Sequence, residues 1–117
     1  MTPDELRART KSFALRVVTL YRSLPRSADA QVIGKQLWRC GTSVAANYRA
    51  SCRARSRAEF AARIGIVVEE ADESGFWLEM LAEAEIVRMA LLKELLRESK
   101  ELPAIFTATQ HAVKRRG

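Results

Sequence analysis

Apolar residues recur at steps of three and four along almost the whole chain, and no segment alternates in the two-residue rhythm of a strand. Leu6, Phe13, Val17, Leu20, Tyr21 and Leu24 form the first stripe. Thr2, Pro3 and Glu5 stand ahead of it at the offsets of an N-cap, a first-turn proline and a capping-box partner, and Pro25 stops it. A second helix begins around positions 27–29 and carries Ile33, Leu37, Cys40, Val44, Tyr48 and Ser51 inward. Gly34 and Gly41 fall within it, although each costs about 1 kcal/mol relative to Ala in a helix. The quartet Ser-Arg-Ala-Glu at positions 56–59 is a second capping box, so the chain turns near Ala54 and Arg55. The third helix then buries Phe60, Ile64, Val67, Val68, Ala71, Gly75, Leu78 and Ala82.

The last stripe holds Val87, Leu91, Leu95, Leu102, Ile105, Phe106 and Val113. No Gly or Pro interrupts the chain between Gly75 and Pro103, so the pattern alone also permits one very long helix from position 56 onwards. An antiparallel bundle requires a turn at about positions 84–87, and Pro103 either kinks the last helix or restarts it. Four helices of about 20–28 residues span roughly 30–40 Å each, a matched set. The expected fold is all-α, an antiparallel up-down-up-down four-helix bundle, with residues 1–117 as a single domain.

Composition agrees with this reading. Hydrophobic residues make up 48% of the chain and charged ones 29%, with only three prolines and five glycines. No apolar run approaches the ~18 residues of a membrane span. The segment "MTPDELRART" lacks the apolar core of a signal peptide, so a cytoplasmic location and no membrane partner are expected. Cys40 and Cys52 lie 12 residues apart on one helix. At ~1.5 Å of rise per residue they are too distant for a disulfide and read as free thiols.

The helices carry more apolar surface than one core needs. Ile66, Phe76, Trp77 and Met80 fall on the far side of the third helix from Ile64 and Leu78, and Trp38 stands off the inward stripe of the second. They are either scattered surface hydrophobes or a subunit interface, and a homo-oligomer is the expectation.

The formal charge of +6 hides a polarity. In an up-down-up-down bundle, the start of the first helix, the turn between the second and third, and the tail of the fourth share one end. That end gathers Arg7, Arg9, Lys11, Arg49, Arg53, Arg55, Arg57, Arg63, Lys114, Arg115 and Arg116 against Asp4, Glu5 and Glu59. Between positions 69 and 85 there are seven acids and no base. Antiparallel pairing sets Lys35 opposite Glu73 and Arg39 opposite Glu70, which neutralises the middle of the bundle. The pole lacks enough acids for the same treatment. It is either a solvated end or a phosphate-binding one, and arginine's planar fork suits phosphate oxygens.

Catalytic constellations are missing. His111 is the one histidine, so the paired Glu-x-x-His elements of a di-iron bundle cannot be built. The cysteines lack zinc spacing, no base is evident for a thiol nucleophile, and no glycine-rich phosphate loop appears. Glu69 with Glu73, and Glu79 with Glu83, are i,i+4 carboxylates that fit solvated or paired acids better than a cation site. Ser43 and Asn47 suit a register-fixing polar pair. The expectation is a non-enzyme with no cofactor and no metal.

Taken together, Ser-Val-Ala-Ala-Asn at positions 43–47, an Arg/Ala run into Ser-x-x-Glu-Phe at 56–60, Glu-Ala-x-Glu-Ser at 70–74 and Trp-Leu-Glu-x-Leu at 77–81 make a set of words. The set resembles the small bacterial four-helix-bundle family first met in intervening sequences of large-subunit ribosomal RNA genes, which carries a ribosomal-protein-like label. The match is strongest from about position 37 to 81. The resemblance implies a third helix ending soon after Leu81 and assembly as a ring-shaped homopentamer. It extends in shape to the accessory variability determinant of diversity-generating retroelements, a basic pentameric barrel that engages nucleic acid and reverse transcriptase.

Two functional readings follow. The first is an oligomeric protein binding RNA or DNA through Arg49, Arg53, Arg55, Arg57, Arg63, Lys114, Arg115 and Arg116. With no loop aromatics to stack on bases, its contacts would be to phosphate, with little sequence preference. The second is a scaffold that presents its helices to a protein partner.

Overall fold

The computed structural model describes the backbone of residues 1–116 and the side chains of residues 1–115, so the Arg116 side chain and Gly117 lie outside the described residues. Four helices follow one another: α1 (Pro3–Ser23), α2 (Ala28–Ser51), α3 (Arg57–Glu83) and α4 (Met89–Arg116). Each packs against the next, and α4 closes back on α1 through a sparser seam. The result is an all-α four-helix bundle with extents of 48 × 20 × 19 Å.

Local signals explain the helix starts. Thr2 and Glu5 form a reciprocal capping box, with the Glu5 amide donating to Thr2 Oγ1 and the Thr2 amide to Glu5 Oε1. At α3 the Glu59 amide donates to Ser56 Oγ at 3.0 Å, but the Glu59 carboxylate accepts from the Arg55 amide instead of closing the box on Ser56. The α3–α4 turn carries no glycine. Glu85 takes the left-handed conformation (φ 60°), while the Ile86 and Glu85 amides bond back to the carbonyls of Leu81 and Ala82. That is a Schellman closure built on an ordinary residue.

The core follows the predicted stripes of α1, α2 and α3, from Phe13 and Val17 through Leu37 and Val44 to Ile64, Val67 and Leu78. In α4 the phase differs from expectation. Leu92 is fully buried and Leu91 is 72% exposed, because the turn at 84–88 resets the helical phase that a continuous count from Val87 carries forward. Pro103 neither ends nor restarts α4, which runs through it. Gly41 marks a close α1–α2 approach: a Cβ there would stand 2.9 Å from a Val17 methyl. Gly34 does the same one heptad earlier, against Leu24 and Tyr21.

Candidate functional site

The bundle brings three distant chain segments to one end. Met1, Pro3, Leu6 and Arg7 from the start of α1 meet Tyr48, Ser51 and Cys52 at the end of α2. The α2–α3 turn contributes Ala54, Arg55 and Ser56, α3 contributes Arg57 and Phe60, and α4 contributes Thr109 and Val113. Between them lies an open cleft of about 660 Å³. A second groove of about 380 Å³ runs beside it between α1 and α2, floored by Ala8, Ala45 and Ala46 and edged by Arg7, Lys11 and Arg49. Lys114 joins Arg57 in a third, shallow depression between α3 and α4.

Of the expected contact residues, Arg49, Arg53, Arg55, Arg57, Lys114 and Arg115 are exposed at this end. Arg63 is half-buried further along α3 and lines none of these three depressions. Arg116 lies outside the described side chains. Arg9 leaves the pole. Its guanidinium is held by Glu98 at 2.7 Å through two nitrogens and by Glu101 at 2.9 Å, so acids from α4 neutralise it. The Glu98 hydrogen bond leads the causes that raise the Arg9 pKa above its usual range.

The acids at the pole have other duties. Asp4 pairs with Arg7, Glu5 closes the α1 cap, and Glu59 caps the Arg55 amide. All are placed where helix N-termini attract negative charge, and the Thr2 hydrogen bonds hold the Glu5 carboxyl below its usual range. Arg49 and Lys114, in the last turns of α2 and α4, are likewise placed where the helix dipole favours a cation. Arg55 and Arg57 are not. They stand at the N-terminal end of α3, where the same dipole disfavours positive charge.

Two aromatics of the predicted core stripes, Tyr48 and Phe60, also line the cleft. Tyr48 is nearly sealed, its ring tilted on Phe106 with centroids 5.0 Å apart. Burial, with the Cys52 thiol beside it, pushes the Tyr48 phenol up to about 12. Phe60 is half-buried and lines the cleft directly. Periodicity could not separate a core residue from one at the bundle's open end. Cys40 and Cys52 are both free; Cys40 is fully buried, accepts from Ser74 Oγ at 3.3 Å, and has its thiol pKa raised by that burial.

Further along α3, Glu70 and Glu73 have partners. Arg39 reaches both Glu70, at 3.4 Å, and Glu73, so the α2–α3 register puts Arg39 rather than Lys35 on Glu73. Glu73 also accepts the Trp77 indole N–H at 3.0 Å. Ser43 and Asn47 hydrogen-bond each other at 2.8 Å. Among the described residues no group of three His, Cys, Asp or Glu is placed to hold a metal ion. No helix among them is long and apolar enough to cross a membrane.

The five apolar residues expected at the surface lie on α2 and α3 and differ in exposure. Trp38, 46% exposed, stacks on Tyr21 at 5.2 Å over the α1–α2 seam. Ile66 and Phe76 are exposed on α3, where Phe76 meets Trp77 edge-on at 4.8 Å. Trp77 and Met80 are half-buried and rest against the core.

Comparison with known proteins agrees with this architecture. A crystal structure of a protein of unknown function from the S23 ribosomal protein family, from Bacteroides thetaiotaomicron, superposes with a TM-score of 0.87 and 31% sequence identity. The match covers 95% of this chain and 99% of that one. None of the curated proteins matches the sequence. The family profile described as 23S rRNA-intervening sequence protein matches residues 5–108, nearly the whole bundle, and the chain belongs to that family.

Proposed function

We propose that this protein is a non-enzymatic, self-assembling nucleic-acid-binding module, with the pole around Arg49, Arg53, Arg55 and Arg57 as its contact surface. One observation carries the reading. Exposed cations from the α2–α3 turn and the ends of α1 and α4 gather at one end, while Asp4, Glu5 and Glu59 are committed to helix caps or to Arg7. Arg55 also sits just ahead of the α3 N-terminus, where the helix dipole works against it, a placement that a bound phosphate would relieve. Contacts of this kind are to backbone phosphate and carry little sequence preference.

Self-assembly rests on the two apolar places. Trp38 is exposed over the α1–α2 seam, and Ile66 and Phe76 are exposed on α3. Two different patches suit a head-to-tail contact that closes into a ring. A ring of five, as the family resemblance implies, would repeat the basic pole around one axis and multiply its field.

A salt series tests the reading. Binding of duplex DNA and structured RNA should weaken steeply as salt rises, with a log–log slope of about −0.9 per neutralised phosphate on duplex DNA. Replacing Arg49, Arg53, Arg55 and Arg57 together by Gln should flatten that slope by up to about four contacts. A variant that binds as tightly as the parent would remove the pole from the function. The scaffold reading would then stand in its place.

A further inference from the structure

The pole is more than a charged surface, because its largest cleft joins an apolar floor to a cationic rim. Leu6, Phe60 and Val113 come from three different helices to make the floor, and Arg55 and Arg57 stand at the edge. Tyr48, 3% exposed and packed on Phe106, closes the bottom as a rigid neutral ring. Among the described residues, Asp4 is held by Arg7, and the Glu59 carboxylate accepts from the Arg55 amide. A volume of about 660 Å³ lies within the range of ~300–1,000 Å³ in which clefts enclose small ligands.

We propose that this cleft receives one unpaired nucleotide of a bound strand, with the base against Phe60 and the apolar floor and its flanking phosphates at Arg55 and Arg57. The inference rests on the basic pole as a nucleic-acid surface and adds to it a preference for unpaired over duplex strands. Phosphate contacts alone treat the two alike apart from charge density, and a fully paired duplex keeps its bases in the stack. Only a nucleotide free to leave the stack satisfies both halves of the cleft. Stacking of a base on a protein aromatic is sequence-tolerant, so the preference is for an unpaired base of any identity.

The cleft also contains its own reporter. Cys52 lines it and is half-buried, whereas Cys40 is fully buried, so a maleimide reads Cys52 in the folded protein. The test uses the full chain, an oligoadenylate of about twelve nucleotides, and the same strand paired with oligouridylate. Affinity and the rate of Cys52 modification are measured for each. The expected result is about tenfold tighter binding of the unpaired strand, from a single stacked base, and several-fold slower Cys52 modification at its saturation but not at that of the duplex. Ala54→Trp fills the cleft from the turn without changing charge, and Phe60→Leu removes the aromatic surface. Both should abolish the preference and leave duplex binding in place. Equal affinity for the two strands, unprotected Cys52, or a preference that survives both variants overturns the cleft proposal and leaves the basic pole standing. If neither RNA binds at low salt, the basic pole falls and the cleft proposal with it.

Discussion

Arg9 on α1 and Glu98 on α4 lock together through two hydrogen bonds of 2.7 Å each. The pair bridges the seam where α1 and α4 make their sparsest contact, and Glu101 adds a third bond to the same guanidinium. It explains why a cation that sequence assigns to the basic pole is a structural residue. Glu98→Gln should therefore cost up to about 1.5–3 kcal/mol, the range for hydrogen bonds to a charged group, read as a lowered urea midpoint at unchanged m-value. Arg9→Gln should lower stability by a similar amount and leave the salt slope of nucleic-acid binding unchanged. A flattened slope would return Arg9 to the contact surface.

Gly41 tests whether close packing or helix propensity governs α2. Propensity alone makes Gly41→Ala a gain of about 1 kcal/mol in a helix interior. The new Cβ, however, would stand 2.9–3.2 Å from three carbon atoms of Val17, a stiff and fully buried side chain. Overpacking of this kind costs about 1–3 kcal/mol, so the substitution should be neutral to destabilising by up to about 2 kcal/mol. A variant more stable than the parent would show that α1 moves away at little cost.

Much of this architecture was legible in the sequence. The capping residues Thr2 and Ser56 and the stripes of α1 and α2 mark their elements because each signal is local. The α3–α4 turn was not legible from pattern, since the residue at its left-handed position is Glu85 rather than the glycine that announces such a turn. With that signal missing, the apolar pattern predicts Leu91 in the core, where the structure buries Leu92. The site was legible as charge but not as shape. Arg55 and Arg57 stand out in the sequence, whereas the cleft exists only once Leu6, Phe60 and Val113 converge from three helices. The committed state of Arg9 depends likewise on residues 89 and 92 positions away.

Glu85→Gly follows from the same geometry. A residue with a Cβ loses roughly 1–2 kcal/mol in the left-handed region, and glycine does not. Against this stands the greater freedom that glycine gives the unfolded chain, about 0.4–1 kcal/mol. The substitution should stabilise by up to about 1 kcal/mol, seen as a higher melting temperature with an unchanged circular dichroism spectrum. Ala at the same position keeps the Cβ and should give no such gain.

Glu70 carries a pH signature with a defined sign. Burial raises its carboxyl pKa above the usual value, although Arg39 draws it back in part. A carboxyl raised in the folded state binds more protons there than when unfolded. Its stabilising contribution is complete below the unfolded pKa and is lost as pH rises through the folded one. Glu70→Gln removes that loss. The variant should be as stable as the parent or slightly more so at neutral pH, and its advantage should disappear as pH falls through the carboxylate range. Paired urea titrations at neutral and acidic pH measure both points. An advantage that grows toward acid would reverse the sign and identify the Arg39 bond as the dominant influence.

Phe76 tests assembly without touching the core. It is 51% exposed on α3, and its ring meets Trp77 at the surface rather than inside. A monomer would leave it in water, where Phe76→Glu changes stability little, within about 0.5 kcal/mol for a surface position. At the centre of a subunit contact the same change buries an unpaired carboxylate and should dissociate the ring. Light scattering on purified protein separates the cases, with circular dichroism confirming that the helices persist. The expected outcome is an oligomer for the parent and a helical monomer for the variant. Trp38→Ser, at the other apolar place, should have the same effect. If the contact is head-to-tail, mixing the two variants restores at most one intact junction per pair and gives dimers rather than rings. A two-fold contact made by either patch alone would instead let one of the variants assemble by itself.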